Sequence, residues 1–166
     1  MGGSIRHGLR HLLDFRGRDG RALFWPYAGC VLGVWFVLGN AMFLGVMSWG
    51  VAQDLPYTTV VSLFFVVTAA AGALLVVFIA AAVNRRLHDR GMRGTWALVP
   101  LVLLISGFSL MSQLPLSASD PEPDLTLSLV VFANNAVYLA CIVVLVLVLA
   151  LPGQPGANRF GQSGDR

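Results

Sequence analysis

Lysine is missing from this sequence altogether, and only 11% of its 166 residues are charged. A soluble domain carries roughly 25% charged residues, so a water-facing globule is excluded. Cysteine is almost as scarce: Cys30 and Cys141 are the only two. Both lie in apolar runs and form neither a C-x-x-C nor a metal-ligand spacing, which leaves two free thiols acting as small hydrophobes. Most telling is the lack of any Asp, Glu or Arg inside four long apolar stretches, Phe24 to Trp49, Tyr57 to Val83, Thr95 to about Gln113, and Leu125 to Leu151. A bilayer crossing takes about 20 apolar residues. A charge at a helix centre costs about 2.5–3.5 kcal/mol on insertion. The sequence therefore predicts an all-α, polytopic membrane protein, a bundle of four transmembrane helices. Intramembrane Asp, Glu and His, the parts of a proton relay, are absent too.

The charge that is present sits between and beside these spans. Of eleven arginines, Arg6, Arg10, Arg16, Arg18 and Arg21 precede the first span. Arg85, Arg86, Arg90 and Arg93 lie between spans two and three, and Arg159 and Arg166 follow span four. The other two loops have no arginine and carry Asp54, Asp120, Glu122 and Asp124. The positive-inside rule then places both termini and the 84–96 hairpin in the cytoplasm. This divides the chain into a basic amphipathic segment at 1–23, a transmembrane domain at 24–151 and a cytoplasmic tail at 152–166. No cleaved signal peptide is expected: the first apolar run follows more than twenty polar and basic residues and lacks an A-x-A site.

Within residues 1–16, Ile5, Leu9, Leu12 and Leu13 recur at helical spacing, with Arg6 and Arg10 on another face. That predicts a short helix lying on the inner leaflet, apolar side down, with Gly2, Gly3 and Gly8 weakening its start. "MGGSIR" lacks Ser or Thr at its sixth position, so myristoylation is not indicated. His7 and His11 are i, i+4; two solvated histidines is the ordinary reading, a shared metal the alternative. Pro26 falls near the start of span one, where a missing N–H costs little. Gly29 and Gly33 make a G-x-x-x-G, and Ala69 and Ala73 repeat its spacing. Packing inside one bundle is preferred for these, a dimer face being the alternative. Pro100 bends span three or marks its first turn. Asn40, Thr68, Asn134 and Asn135 are the few polar groups at membrane depth, with hydrogen bonds across helices expected of the asparagines. "SQLPLSASDPEPD" at 112–124 reads as an irregular acidic outer loop.

The 84–96 hairpin, "NRRLHDRGMRGTW", is the densest cluster of chemistry. If span two stays helical past Val83, Arg85 and Asp89 are i, i+4 and pair for a few tenths of a kcal/mol. Asn84 and His88 share another face, Gly91 suits a helix stop, and Trp96 is an interfacial anchor. Spans one and three both begin on this side, so two helix N-termini join the arginines and the "NRFG" at 158–161 in one layer. Such a layer favours an anion, the nearest being anionic lipid at roughly 1 kcal/mol per well-placed arginine. A purely structural cap, in which Arg18, Arg21 and Arg159 pair with Asp14, Asp19, Asp89 and helix C-terminal carbonyls, is the competing reading. Docking of a protein partner is a third. No enzyme is expected: His88 and Asp89 point about 100° apart on a helix, and no cytoplasmic nucleophile stands beside them.

Three segments, "FRGRDGRALFW" at 15–25, the hairpin at 84–96 and "LPGQPGANRFG" at 151–161, together resemble the bacterial inner-membrane family called domain of unknown function 805. The matching positions are Gly17, Arg18, Arg21, Phe24 and Trp25 at the entry. In the hairpin they are Arg85, Arg86, Leu87, His88, Asp89, Gly91, Gly94 and Trp96, and at the exit Pro152, Gly153, Gly156, Asn158, Arg159, Phe160 and Gly161. Leu23 replaces an acidic residue of the family pattern, Arg93 a serine and Thr95 an aromatic, and the tail reads "GQSGDR". The resemblance implies a small polytopic protein of the bacterial inner (plasma) membrane with a motif face in the cytoplasm. It brings no activity with it. The expected function is a non-enzymatic structural or interaction protein with an ordered cap in which His88 and Asp89 orient the arginines. The alternatives are a binder of anionic head groups or phosphate and a small transporter or channel subunit. The candidate cap or anion-binding residues are Arg18, Arg21, Arg85, Arg86, His88, Asp89, Asn158 and Arg159. No cofactor, metal or nucleic acid is expected. Membrane lipids, a second copy of the chain or another membrane protein are the expected partners.

Overall fold

A computed structural model of the chain describes residues 2–114 and 125–162. The structure is 78% helical, with no strand among the described residues. A short helix α1 (Gly2–Arg10) leads through an irregular segment to α2 (Arg21–Ala52) and α3 (Tyr57–Asp89). A 3-10 turn at Gly94–Ala97 then opens α4 (Leu98–Met111), and α5 (Leu125–Ala150) ends the helical part. Four of these are long and apolar enough to cross a membrane, the third counted with its 3-10 turn. The protein is a multi-pass membrane protein. The predicted irregular loop at 112–124 falls mostly outside the described residues.

The helices form two antiparallel pairs, α2 with α3 and α4 with α5. The pairs meet at one end, where Phe24, Tyr27, Ala28, Ala82, Val83, Leu87 and Leu149 make one buried core. At 33 residues α3 is about 50 Å long, well beyond the roughly 30 Å hydrocarbon thickness. Its last turns, from Asn84 on, therefore stand outside the apolar span and carry the arginines.

Several local expectations change in the folded chain. α1 stops at Arg10, and Leu13 beyond it is 78% exposed. Gly8 does not weaken the helix but lets it dock: it is buried, and a methyl group there would overlap the Tyr27 ring. Pro26 is the sixth residue of α2, so its missing N–H does orphan a carbonyl, that of Ala22. Ser4 Oγ reaches across from α1 and donates to that oxygen at 3.2 Å.

Pro100 falls in the first turn of α4, where its ring is tolerated. The G-x-x-x-G of α2 is not bundle packing: a Cβ at Gly29 or Gly33 would meet nothing within 4 Å. On the opposite side of α2, Val31 packs against the core shared with α3. Of the intramembrane asparagines, only Asn134 reaches a neighbouring helix. It accepts from Ser106 Oγ at 2.8 Å and donates to Leu103 O at 3.0 Å, with Gly107 leaving room for it. Asn40 and Asn135 bond back to their own helices, at Phe36 O and Val131 O.

Candidate functional site: a buried arginine–aspartate cap

α3 ends because Gly91 adopts φ +72°, a left-handed conformation a side chain disfavours. Gly91 N–H donates to His88 O and Met92 N–H to Leu87 O, both at 2.9 Å, closing a Schellman stop. This fixes the final turn, which presents three charged side chains in different directions. Arg85, Arg86 and Asp89 are 3%, 0% and 1% exposed. Arg18 and Asp19, brought in by the segment before α2, are buried with them. Three guanidinium groups thus share an interior with two carboxylates.

The partners are long-range. Asp89 Oδ1 accepts from Arg18 Nε at 3.1 Å and from Nη2 at 3.0 Å, and Oδ2 accepts from Arg86 Nη1. Asp19 Oδ2 accepts from Arg85 Nε at 2.8 Å, and its other oxygen faces His7 Nε2 at 3.1 Å. The predicted Arg85–Asp89 pair is therefore replaced by Arg86–Asp89, at i, i+3, and by Arg85–Asp19. Both arginines lie within about 60° of Asp89 on the helix. The choice falls to the neighbours: Arg85 faces the 11–19 segment, while Asp89 faces the exit from α5. His7 is accordingly not a solvated histidine, since it turns toward the cap.

Arg18 has five N–H donors and all five are occupied. Besides the two to Asp89, Nη1 donates to Gly156 O at 2.6 Å and Gly161 O at 3.3 Å, and Nη2 to Gln154 O at 2.6 Å. Arg86 Nε donates to Leu149 O at 2.9 Å, and Nη2 to Leu151 O. A cation at the C-terminal carbonyls of α5 also complements the helix dipole. Arg85 Nη1 donates to the carbonyls of His11, at 2.8 Å, and Asp14. Its Nη2 and Arg90 Nε are the buried side-chain nitrogens left without a partner among the described residues.

Around this interior runs a second, more exposed ring. His88 stacks on Phe160 with ring centroids 3.9 Å apart and planes within 4°, and the Arg159 guanidinium lies 4.7 Å from the Phe160 ring centroid. His88 Nδ1 is 3.2 Å from Gly17 O and Nε2 is 3.4 Å from Asn84 Nδ2. A carbonyl only accepts and an amide N–H donates, so the neutral Nδ1–H imidazole satisfies both. Partial burial, with the positive charge of Arg159 adding to it, pushes the His88 pKa down, against the pull of the Gly17 carbonyl. Asn158 Nδ2 donates to His88 O at 3.0 Å, and Arg159 Nη2 to Gly91 O at 3.0 Å. Residues 158–161 close a tight turn with reciprocal bonds between Asn158 and Gly161. Gly153 passes so close to Asp89 that any side chain would overlap its carboxylate.

Of the predicted site residues, Arg18, Arg85, Arg86, His88, Asp89, Asn158 and Arg159 come together. Arg21 does not: it stays exposed on the first turn of α2 and joins no bond of the network. His88 grips Phe160 and leaves the orienting of guanidinium groups to Asp89 and Asp19. The sequence reading gave Asp19 only as one possible counterion and passed over Gln154. Asp19 is legible as the one acid among the arginines of "GRDGR", whereas Gln154, which takes part through its backbone N–H and C=O and accepts from Asn158 Nδ2 through its side-chain oxygen at 3.1 Å, leaves no such mark.

The family model described as protein of unknown function (DUF805) matches residues 12–162. The match takes in all three motif segments that build the cap, and the chain belongs to that family. No curated protein and no solved structure matches the chain significantly.

Proposed function

From that family membership and the cap geometry, we propose that the protein is a non-enzymatic structural or interaction protein of the bacterial inner membrane. Its arginine–aspartate cap faces the cytoplasm and fastens the chain entry, the α3 hairpin and the α5 exit into one unit. The observation that carries this reading is the saturation of Arg18. Its five donors run to Asp89, Gln154, Gly156 and Gly161, which leaves none for a ligand. The split of arginines between the two sides supports the cytoplasmic placement. The clamp presents an exposed rim, with Arg16, Arg21, Arg93 and Arg159, to whatever membrane-protein partner or second copy it meets.

Hydrogen exchange of residues 152–161 in wild type and Arg18→Gln tests the clamp. Loss of a buried partner costs about 3–5 kcal/mol, so exchange there should rise by a hundredfold or more while membrane insertion is unchanged. Unchanged exchange, with loss of a bound phosphate group instead, would move Arg18 to a ligand site and sink the clamp.

A further inference from the structure

Away from the cap, α1, α2 and α3 line an open groove of about 560 Å³. Its volume is that of a small-molecule site, yet its lining is apolar almost throughout. It runs along α2 from Tyr27 to Met42, about 22 Å of helix. That exceeds one leaflet of a hydrocarbon core roughly 30 Å thick. One wall is the far side of α2, with Cys30, Val34 and Leu38, and the other is α3, with Ala70 and Leu74. At the cap end, α1 lies across it and closes it with Ile5 and Leu9.

The order of faces around α1 defines the occupant. At 100° per residue, Gly8 faces Tyr27, and Ile5 and Leu9 come next, turned into the groove. Arg6 and Arg10 follow, both exposed and without a side-chain partner among the described residues. His7 lies on the opposite flank, toward Asp19. So an apolar trough of membrane depth opens, at its cap end, beside two free arginines. A transmembrane helix from another protein, 10–12 Å across, would collide with α1 on its way out of the bilayer. A single acyl chain would not, because its head group can leave past Leu9.

We propose that this groove is a phospholipid site: one acyl chain lies between α2 and α3 under α1, and the anionic head group of that lipid is held by Arg6 and Arg10. The site is separate from the Arg18–Asp89 clamp and does not depend on the clamp's role. Docking of α1 through Gly8 and Ser4 is what gives the groove its closed end. The arginines that bind lipid are thus those the cap leaves free, and the buried ones have another task.

The test uses the full chain in bilayer particles of equal phosphatidylglycerol and phosphatidylcholine, read by native mass spectrometry. Wild type should retain phosphatidylglycerol in preference. Arg6→Gln/Arg10→Gln should lower that preference by about thirtyfold, two arginines at roughly fivefold each. Ala70→Trp should reduce retention of either lipid without shifting the melting temperature. A phosphatidylglycerol bearing a diazirine on its acyl chain should label Cys30, Val34 or Leu38 in unmodified protein, whatever the variants do to folding. Equal retention of the two lipids, full retention in Ala70→Trp, or labels only on outer faces of the helices would each overturn the assignment. So would recovery of a dimer with these groove residues protected, since a second copy would then be the occupant.

Discussion

Asp89→Asn is the perturbation that bears most directly on the cap. The carboxylate is 1% exposed and bridges Arg18 and Arg86. The amide is nearly the same size, so no cavity forms. What changes is charge and donor count: one negative charge is lost, and an NH₂ is turned toward guanidinium groups that can only donate. Both buried cations lose the negative charge they share. Removing one partner of a buried ion pair costs about 3–5 kcal/mol. For a chain of this size, each kcal/mol moves the melting point by about 2–4 °C, so a fall on the order of 10 °C is expected. The assay is thermal unfolding in detergent or bilayer particles, followed by helical signal and by proteolysis at 152–161. A companion Asp89→Asn/Arg18→Met variant should lose less than the sum of the two single changes, because they break one network. A melting point within a degree or two of wild type would refute the reasoning. It would mean that the arginines are held without the Asp89 charge, by partners that include the carbonyls of Leu149, Leu151, Gln154, Gly156 and Gly161.

Two further outcomes follow from other parts of the structure. The lowered His88 pKa means that the folded state favours neutral imidazole. Its contribution is complete above the unfolded value near 6.5 and is lost as pH falls through the lower folded value. Wild type should lose more stability than His88→Gln between pH 7.5 and 5.5, with the difference appearing below about 6.5; equal slopes would remove His88 as the cause. Gly8→Ala should loosen α1 from Tyr27, because the added methyl would overlap the buried ring. Proteolysis within residues 11–17 should then accelerate severalfold, and an unchanged rate would show that α1 does not depend on this contact.

The spans and the clustering of the motif segments were legible from the residues alone. Insertion depends on summed local hydropathy, and the 57–83 and 125–151 runs are uninterrupted by charge. Gly91 as the stop of α3 was equally readable, since the need for a left-handed residue is local. The partners of each arginine were not. Arg85 lies 66 residues from Asp19 and Arg18 lies 71 from Asp89, and an i, i+4 rule sees neither distance. Nor could periodicity say that Gly29 and Gly33 would face outward, because every face of a transmembrane helix is apolar. The sequence by itself determined which segments enter the bilayer, since water and lipid sort residues by composition. Only the tertiary structure decided which arginines are buried and which stay free, since that depends on carboxylates and carbonyls supplied by the distant ends of the chain.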